Sequence, residues 1–308
     1  SIQPVGRASV LQQVERARST LELRTAEGEV QQALGDLYDL LIRPVEAQLG
    51  ATDRPLRIVA DESLAGVPFA ALYDRRRGRY LMEDRLVRLV PSLSTADAPG
   101  GRRSAPVRPL LVADPAFDRD AYPGLGRLPG AAAEVSAIAS LYPASRRLTN
   151  AMADSTGVSA ALKSADLVHF AGHAVLDDAR PERSFLLLAG QGGAGRLTLE
   201  RIGGMDLRGV RLVVLSACET AREPDRGLGG LAGVSAAFMG AGADGVLGSL
   251  WRVDDDLTRA LMIEFHRAYR TTGDAAGSLR AAQLTLLRHP DPRLRSPAAW
   301  AGFVHLGS

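Results

Sequence analysis

Cysteine is nearly absent from this sequence: its 308 residues include one, Cys218. A single cysteine cannot form a disulfide within the chain, which excludes a disulfide-stabilised fold. In a reducing compartment a lone thiol is either packed in the interior or chemically reactive. By composition alone the packed interpretation is the commoner one, so the surrounding sequence has to distinguish the two.

The chain also has few of the features of membrane and nucleic-acid-binding proteins. No run approaches the roughly 18 to 20 apolar residues that a membrane span needs, and the N-terminus lacks the apolar core of a signal peptide. The formal net charge is only +2, and the basic residues, all arginine except Lys163, are mixed with acidic ones. We therefore expect a cytoplasmic protein without membrane or nucleic-acid partners.

Hydrophobic periodicity divides the chain into three predicted segments. Residues 1–52 have apolar positions at helical spacing and predict two helices with a break at Pro44, as at the end of a helical-repeat region. Residues 53–104 predict a small sheet-forming unit followed by a linker rich in proline, glycine and charge. In residues 105–308 apolar strands alternate with helical patterns. This alternation predicts an α/β domain with a mostly parallel sheet flanked by helices.

Two reactive side chains follow strands of the predicted parallel sheet. His173 comes directly after DLVHFAG, and Cys218 comes at the end of RLVVLSA. Ligands of open α/β sheets bind at the carboxyl ends of the strands, so adjacent strands would bring the two residues together. An imidazole favours the thiolate and can protonate a leaving amine. The backbone N–H groups of Ala174 and Cys218 are candidates for an oxyanion hole.

Other interpretations of the same residues remain open. Cys218 would equally fill a small core position, and His173 would serve as a hydrogen-bonded residue at a strand end. His169 and His173 also resemble a metal-binding pair, but no cysteine or carboxylate motif completes a zinc site. The segments 157–164 and 227–233 lack the glycine spacing of nucleotide-binding loops. We therefore expect no metal and no cofactor.

Several distinctive motifs follow one another along the chain. The main ones are HFAGHA at 169–174, LSACET at 215–220, the segment 226–270 and AAWAGFVHLG at 298–307. In this order they resemble the CHAT domain family, caspase-like cysteine proteases related to separases and caspases. The resemblance covers most of the chain from about residue 35 onward.

The resemblance implies a caspase-like fold in which residues 53–104 form a small pseudo-caspase-like sheet unit, and a catalytic dyad of His173 and Cys218. The spacing of these two residues is close to the roughly 50 residues quoted for caspases. The sequence departs from the pattern at Ala174, where many relatives have glycine. The backbone N–H is kept there, but the added methyl group would narrow the site.

Substrate specificity is expected to depend on Ser216. Alternate strand residues share a face, so Ser216 should lie beside Cys218 and near the substrate's P1 side chain. Relatives that cut after Arg or Lys often have an acid here, so Ser216 predicts that P1 is not obligatorily basic. Glu219 and Asp225 would reverse this if they turned into the pocket. Further candidates for peptide contacts are Ser249, Trp251 and Arg252, although Trp251 would also suit the core with Arg252 in solvent.

The leading hypothesis is a cysteine endopeptidase of the CHAT type that cleaves a partner protein. The family implies regulation by a helical-repeat region or an activator, and a role in bacterial defence or programmed cell death, including activation of gasdermin-like proteins. The alternative is a catalytically silent peptide-binding or scaffolding module of the same fold. A weaker third hypothesis is an acyl-transfer enzyme that uses the same thiol.

Overall fold

The central strands of the described structure, such as LVHFA and LVVL, are short and mostly apolar. A computed structural model describes residues 6–52, 54–61, 64–92, 107–177, 180–216, 229–251 and 253–307. The strands are β1 (Leu56–Ile58), β2 (Tyr73–Asp74), β3 (Arg79–Tyr80), β4 (Val87–Leu89), β5 (Pro109–Pro115), β6 (Arg146–Asn150), β7 (Leu167–Ala171), β8 (Ala174–Val175), β9 (Phe185–Leu187), β10 (Arg196–Thr198), β11 (Leu212–Leu215), β12 (Gly245–Ser249) and β13 (Phe303–Gly307).

Eight of these strands form one sheet in the order β1-β4-β13-β12-β11-β7-β5-β6. Neighbouring strands are parallel except for the antiparallel pair β12 and β13. β5, β7 and β11 are buried along their whole length, as expected for parallel strands covered on both faces. The predicted mostly parallel α/β sheet is confirmed.

Helices flank this sheet, and the described N-terminal part of the chain is helical as well. Proline at position 44 falls in a 3₁₀ helix, Arg43–Gln48, after the second α-helix has ended, which confirms the predicted break. The helices are α1 (Arg7–Glu22), α2 (Glu27–Leu41), α3 (Leu81–Asp84), α4 (Pro129–Leu141), α5 (Ser155–Leu162), α6 (Leu199–Gly203), α7 (Gly229–Gly240), α8 (Asp255–Thr272), α9 (Ala275–Leu287), α10 (Pro292–Arg295) and α11 (Pro297–Trp300). Within the described ranges no helix is long and apolar enough to cross a membrane.

The segment 53–104 contributes strands to the large sheet. β1 pairs with β4, and β4 pairs with β13 at the register Leu306 to Leu89. The sheet of this segment is therefore continuous with that of residues 105–308, while the division of the chain at residues 52 and 104 stays a prediction. A separate three-stranded sheet, β10-β9-β8, follows β7 directly, and the antiparallel pair β9 and β10 leads into the short helix α6.

Candidate active site

β7 and β11 lie side by side and end at the same edge of the sheet. Their parallel register pairs Phe170 with Leu215, and the N–H of Ser216 donates to the Phe170 carbonyl at 2.9 Å. His173 follows the end of β7 by two residues, and Ser216 directly follows β11. The strand order therefore confirms the expected adjacency of the two strands and brings His173 and Ser216 to one place.

The ring of His173 is held on two sides. Its Nε2 lies 2.8 Å from the carbonyl oxygen of Gly126, and its edge packs at 90° against Phe117 with 5.2 Å between ring centroids. A carbonyl oxygen only accepts hydrogen bonds, so Nε2 carries the proton in this contact. In the neutral imidazole Nδ1 is then the nitrogen that can take up a proton. The ring is 5% exposed, so its orientation is fixed by the protein.

A loop between β5 and α4, residues 116–128, supplies this carbonyl. The loop is held by Asp114, a buried carboxylate at the end of β5. Arg127 donates to it from Nε at 2.8 Å and also from Nη2, and the Leu128 N–H donates at 3.2 Å. The Asp114 carboxylate raises the pKa of Arg127 through these hydrogen bonds. Sequence analysis missed Asp114, Gly126 and Arg127, although Asp114 follows the strand PLLVA at the same sheet edge.

A cavity of about 190 Å³ opens beside His173 and Ser216. An apolar cavity of about 150 Å³ is enough to hold benzene, so this one has room for a side chain. The hydroxyl groups of Ser216 and Thr258 are buried and have no hydrogen-bond partner among the described residues. The other polar groups in its wall are Arg127, Glu134 and Asp255. The cavity therefore combines room for a substrate group with unused hydrogen-bonding capacity.

Ala174 and Ser249 line a second, apolar cavity of only about 10 Å³, together with Leu215 and Leu231. Ala174 belongs to β8 and pairs with Leu186 of β9. The hydroxyl of Ser249 donates to the carbonyl of Trp251. Neither residue lines the larger cavity, so the structure brings His173 and Ser216 together without them.

Trp251 is 1% exposed and belongs to the main hydrophobic core. This agrees with the core alternative that the sequence left open. The predicted roles of Ala174, Ser249 and Trp251 in oxyanion or peptide binding stay predictions.

Four of the predicted site residues, Cys218, Glu219, Asp225 and Arg252, lie outside the described residues. The distance between the thiol and the imidazole, the N–H of Cys218 as an oxyanion donor, and the three predicted substrate contacts therefore stay predictions.

His169 is committed to a buried chain of hydrogen bonds. Its Nε2 lies 2.8 Å from Glu134 Oε1, and its Nδ1 lies 3.0 Å from His266 Nε2. His266 Nδ1 in turn lies 3.2 Å from the hydroxyl of Tyr142. Burial lowers the pKa of His266 well below its ordinary value, and the charge of His169 lowers it further. His169 therefore connects β7 to α4 and α8, whereas His173 contacts Gly126. In the parts of the chain that are described, no three His, Cys, Asp or Glu side chains are grouped to hold a metal.

The fold resembles two solved structures. The separase–securin complex of Saccharomyces cerevisiae matches with a TM-score of 0.52 and 14% identity, over 82% of this chain and 15% of that chain. RgpB of Porphyromonas gingivalis, described as the Arg-specific cysteine proteinase gingipain R, matches with a TM-score of 0.52 and 10% identity, over 97% of this chain and 74% of that chain. The fold is caspase-like.

Sequence comparison gives the family. Tetratricopeptide repeat protein 28 of Mus musculus is 26% identical over 328 residues, which cover 88% of this chain and 13% of that protein. The chain thus spans a small part of the curated relative that it matches. A family model described as CHAT domain matches residues 31–308. The chain belongs to the CHAT domain family.

Proposed function

We propose that this protein is a cysteine endopeptidase in which Cys218 is the nucleophile and His173 the general base and acid. The observation that carries the proposal is the orientation of His173. With Nε2 protonated against the Gly126 carbonyl, Nδ1 is the basic nitrogen of the neutral ring, the one that can take a proton from a thiol. Cys218 follows Ser216, which lines the same cavity as His173, by two residues of sequence.

The reaction follows from these groups. His173 takes the thiol proton of Cys218, and the thiolate sulfur forms a bond to the scissile carbonyl carbon. The N–H groups of Ala174 and Cys218 stabilise the negative oxygen of the tetrahedral intermediate. The C–N bond then breaks, and the leaving amine takes its proton from the imidazolium. Water, activated by the same imidazole, hydrolyses the thioester and restores the thiol.

The P1 side chain enters the cavity of about 190 Å³ beside Ser216. Ser216 offers a neutral hydroxyl, so we propose that P1 is not obligatorily basic. The cavity wall also includes Glu134 and Asp255, and Glu134 is hydrogen-bonded to His169. The balance between these carboxylates and the hydroxyl decides how well a positively charged P1 side chain competes with a neutral one.

We propose further that a partner protein regulates the enzyme. Two features support this: the matched relative is named for tetratricopeptide repeats, and one structural neighbour is a complex of separase with securin. The helices α1 and α2 would then continue into a helical-repeat region. The substrate would be a second protein in a defence or cell-death system of bacteria, where a gasdermin-like protein is one candidate.

The test compares the wild type with Cys218→Ala and His173→Ala on a peptide library and on candidate partner proteins, with cleavage sites mapped by mass spectrometry. Asp206→Asn is the matched control, because Asp206 forms an exposed bidentate pair with Arg208 ahead of the amino end of β11. We expect cleavage by the wild type and the control and none by the two site variants. Equal cleavage by wild type and Cys218→Ala, or no cleavage with any activator, would refute the proposal.

A silent peptide-binding module is the second candidate, and the observation that favours it is Ala174. Its methyl group is buried at a position where the family pattern has glycine. If this hypothesis holds, a peptide that binds the wild type is bound equally well by Cys218→Ala and is never cut. Binding measured by fluorescence anisotropy alongside the cleavage assay separates the two functions.

A further inference from the structure

We propose that Asp114, Arg127 and Asn150 form a clamp that positions His173 by fixing the Gly126 carbonyl. The inference rests on the proposed function, since it assigns positioning residues to the same site. Arg127 also lines the cavity beside His173 and Ser216. In the clamp, the three residues act through the peptide group that Gly126 presents to the imidazole.

The clamp holds the chain immediately after Gly126. Arg127 donates hydrogen bonds to two side chains. Its Nε and Nη2 donate to the Asp114 carboxylate, and Nη2 also donates to Asn150 Oδ1 at 3.0 Å. The next N–H, that of Leu128, donates to the other carboxylate oxygen of Asp114. Guanidinium groups hold planar acceptors in a fixed geometry, so these bonds limit both position and rotation of the peptide. The Gly126 carbonyl oxygen, 2.8 Å from His173 Nε2, is one residue away.

The two residues that accept hydrogen bonds from Arg127 have an uncommon backbone conformation. Asp114 and Asn150 have left-handed φ values of 42° and 51°. Side-chain-bearing residues adopt this conformation rarely, Asp and Asn more readily than others. The register of β5 and β6 shifts at Asp114, so that Pro115 pairs with Asn150. Such a bulge redirects a side chain, and here it points the Asp114 carboxylate to the same guanidinium as Asn150.

The loop does not depend on this pair alone for its attachment to the fold. The Arg127 side chain is 60% exposed and that of Asp114 is 6% exposed, so solvent screens the pair on the guanidinium side only. The loop 116–128 has its own apolar anchor, because Phe117 and Tyr122 pack with Phe185 and Leu187. What the clamp adds is the placement of the last three residues of the loop. If the carbonyl turned away, the imidazole would lose its acceptor and could rotate or change tautomer.

The test measures kcat and KM for Arg127→Gln, Arg127→Lys and Asp114→Asn, with Asp206→Asn as the matched control. We expect kcat to fall about ten- to a hundredfold in Arg127→Gln and Asp114→Asn, because misplacement of a catalytic group acts on the chemical step. KM should change less than about threefold in Asp114→Asn, because Asp114 does not line the cavity. Arg127→Lys keeps the positive charge but lacks the planar set of donors of the guanidinium group, so its kcat should lie between those of the wild type and Arg127→Gln. The control should match the wild type.

The pH profile and the ring nitrogens give readouts that a merely structural role would not move. The Gly126 carbonyl favours the protonated ring, so its loss should move the alkaline limb of kcat/KM to lower pH. Arg127, Glu134 and Asp255 are the other charged groups around this cavity. In ¹⁵N spectra, His173 should show a protonated Nε2 in the wild type and a mixture of tautomers in Arg127→Gln.

The spectra are also recorded in the Cys218→Ala background, where no turnover is needed. If the wild type never cleaves a peptide, the proposed function is refuted. If the Nε2-protonated tautomer of His173 is nevertheless lost in Arg127→Gln, the clamp is supported. Wild-type tautomer and wild-type kcat in both Arg127→Gln and Asp114→Asn would overturn the clamp. Thermal melting identifies a variant that is unfolded, in which case Arg127→Lys decides.

Discussion

Replacing His305 with glutamine should make the protein less sensitive to acid. His305 lies on β13 in the centre of the sheet, is 6% exposed, and its Nδ1 has no partner among the described residues. The pKa of His305 is lowered to about 4, mainly by burial; Arg88 adds to this shift and Asp274 opposes it. In the unfolded chain the ordinary value near 6.5 applies. Between about pH 4 and pH 6.5 the imidazole of His305 is therefore protonated in the unfolded state and neutral in the folded state.

The sign follows from this difference. The stability that His305 gives by staying neutral is present above pH 6.5 and is lost as the pH falls from 6.5 towards 4. A gap between about 4 and 6.5 corresponds to roughly 3 kcal/mol at full protonation, at about 1.36 kcal/mol per pH unit. About 2 kcal/mol of it is lost between pH 7 and pH 5. In His305→Gln this part of the pH dependence should disappear.

Urea unfolding followed by circular dichroism at pH 8, 7 and 5 measures the effect. The substitution alters packing, so the two proteins are expected to differ by a constant free energy of unfolding at pH 8 and pH 7. Between pH 7 and pH 5 the variant should lose about 2 kcal/mol less than the wild type. If both proteins lose the same amount, the pKa of His305 is not lowered and the reasoning is wrong.

Two further predictions concern the site itself. Cys218 is the sole thiol, so iodoacetamide should add one adduct per chain. We expect His173→Ala to slow this alkylation at pH 6 by about tenfold or more, because the thiolate loses its imidazolium partner. Intact-mass spectrometry measures the rate, and equal rates in the two proteins would contradict the dyad. Ser216→Asp should raise cleavage after Arg or Lys relative to neutral P1 residues by about tenfold or more, read from the same peptide library; an unchanged profile would show that Ser216 does not face the P1 side chain.

Much of the fold could be predicted because its elements are locally encoded. Helix starts carry their own caps: the side chains of Asp154, Asp254 and Asp274 accept N–H groups at the first turns of α5, α8 and α9. Gly273, with φ of 64°, ends α8 in the left-handed conformation. The apolar strands between these helices then predict a parallel sheet. Strand order is different, because an apolar run such as β13 does not reveal that it will lie antiparallel to β12 and parallel to β4.

Part of the candidate site could also be predicted from the sequence. His173 and Ser216 could be found because their positions after buried strands place them at a known edge of the sheet. The Gly126 carbonyl could not, because the loop that carries it has no periodic pattern and meets His173 across 47 positions of sequence. Its anchors, Asp114 and Arg127, are ordinary charged residues until the fold brings them together.

The two histidines of HFAGH show why spacing alone does not assign a role. His169 is fully buried in the middle of β7 and has hydrogen-bond partners at both ring nitrogens, on α4 and α8. His173 lies two residues beyond the end of the same strand, beside a cavity, with Nε2 at a backbone carbonyl. The first belongs to a buried hydrogen-bond network, whereas the second lines the cavity in which we propose that a substrate side chain binds. A histidine of this motif is therefore a candidate for catalysis only where the strand has already ended, and this condition selects His173.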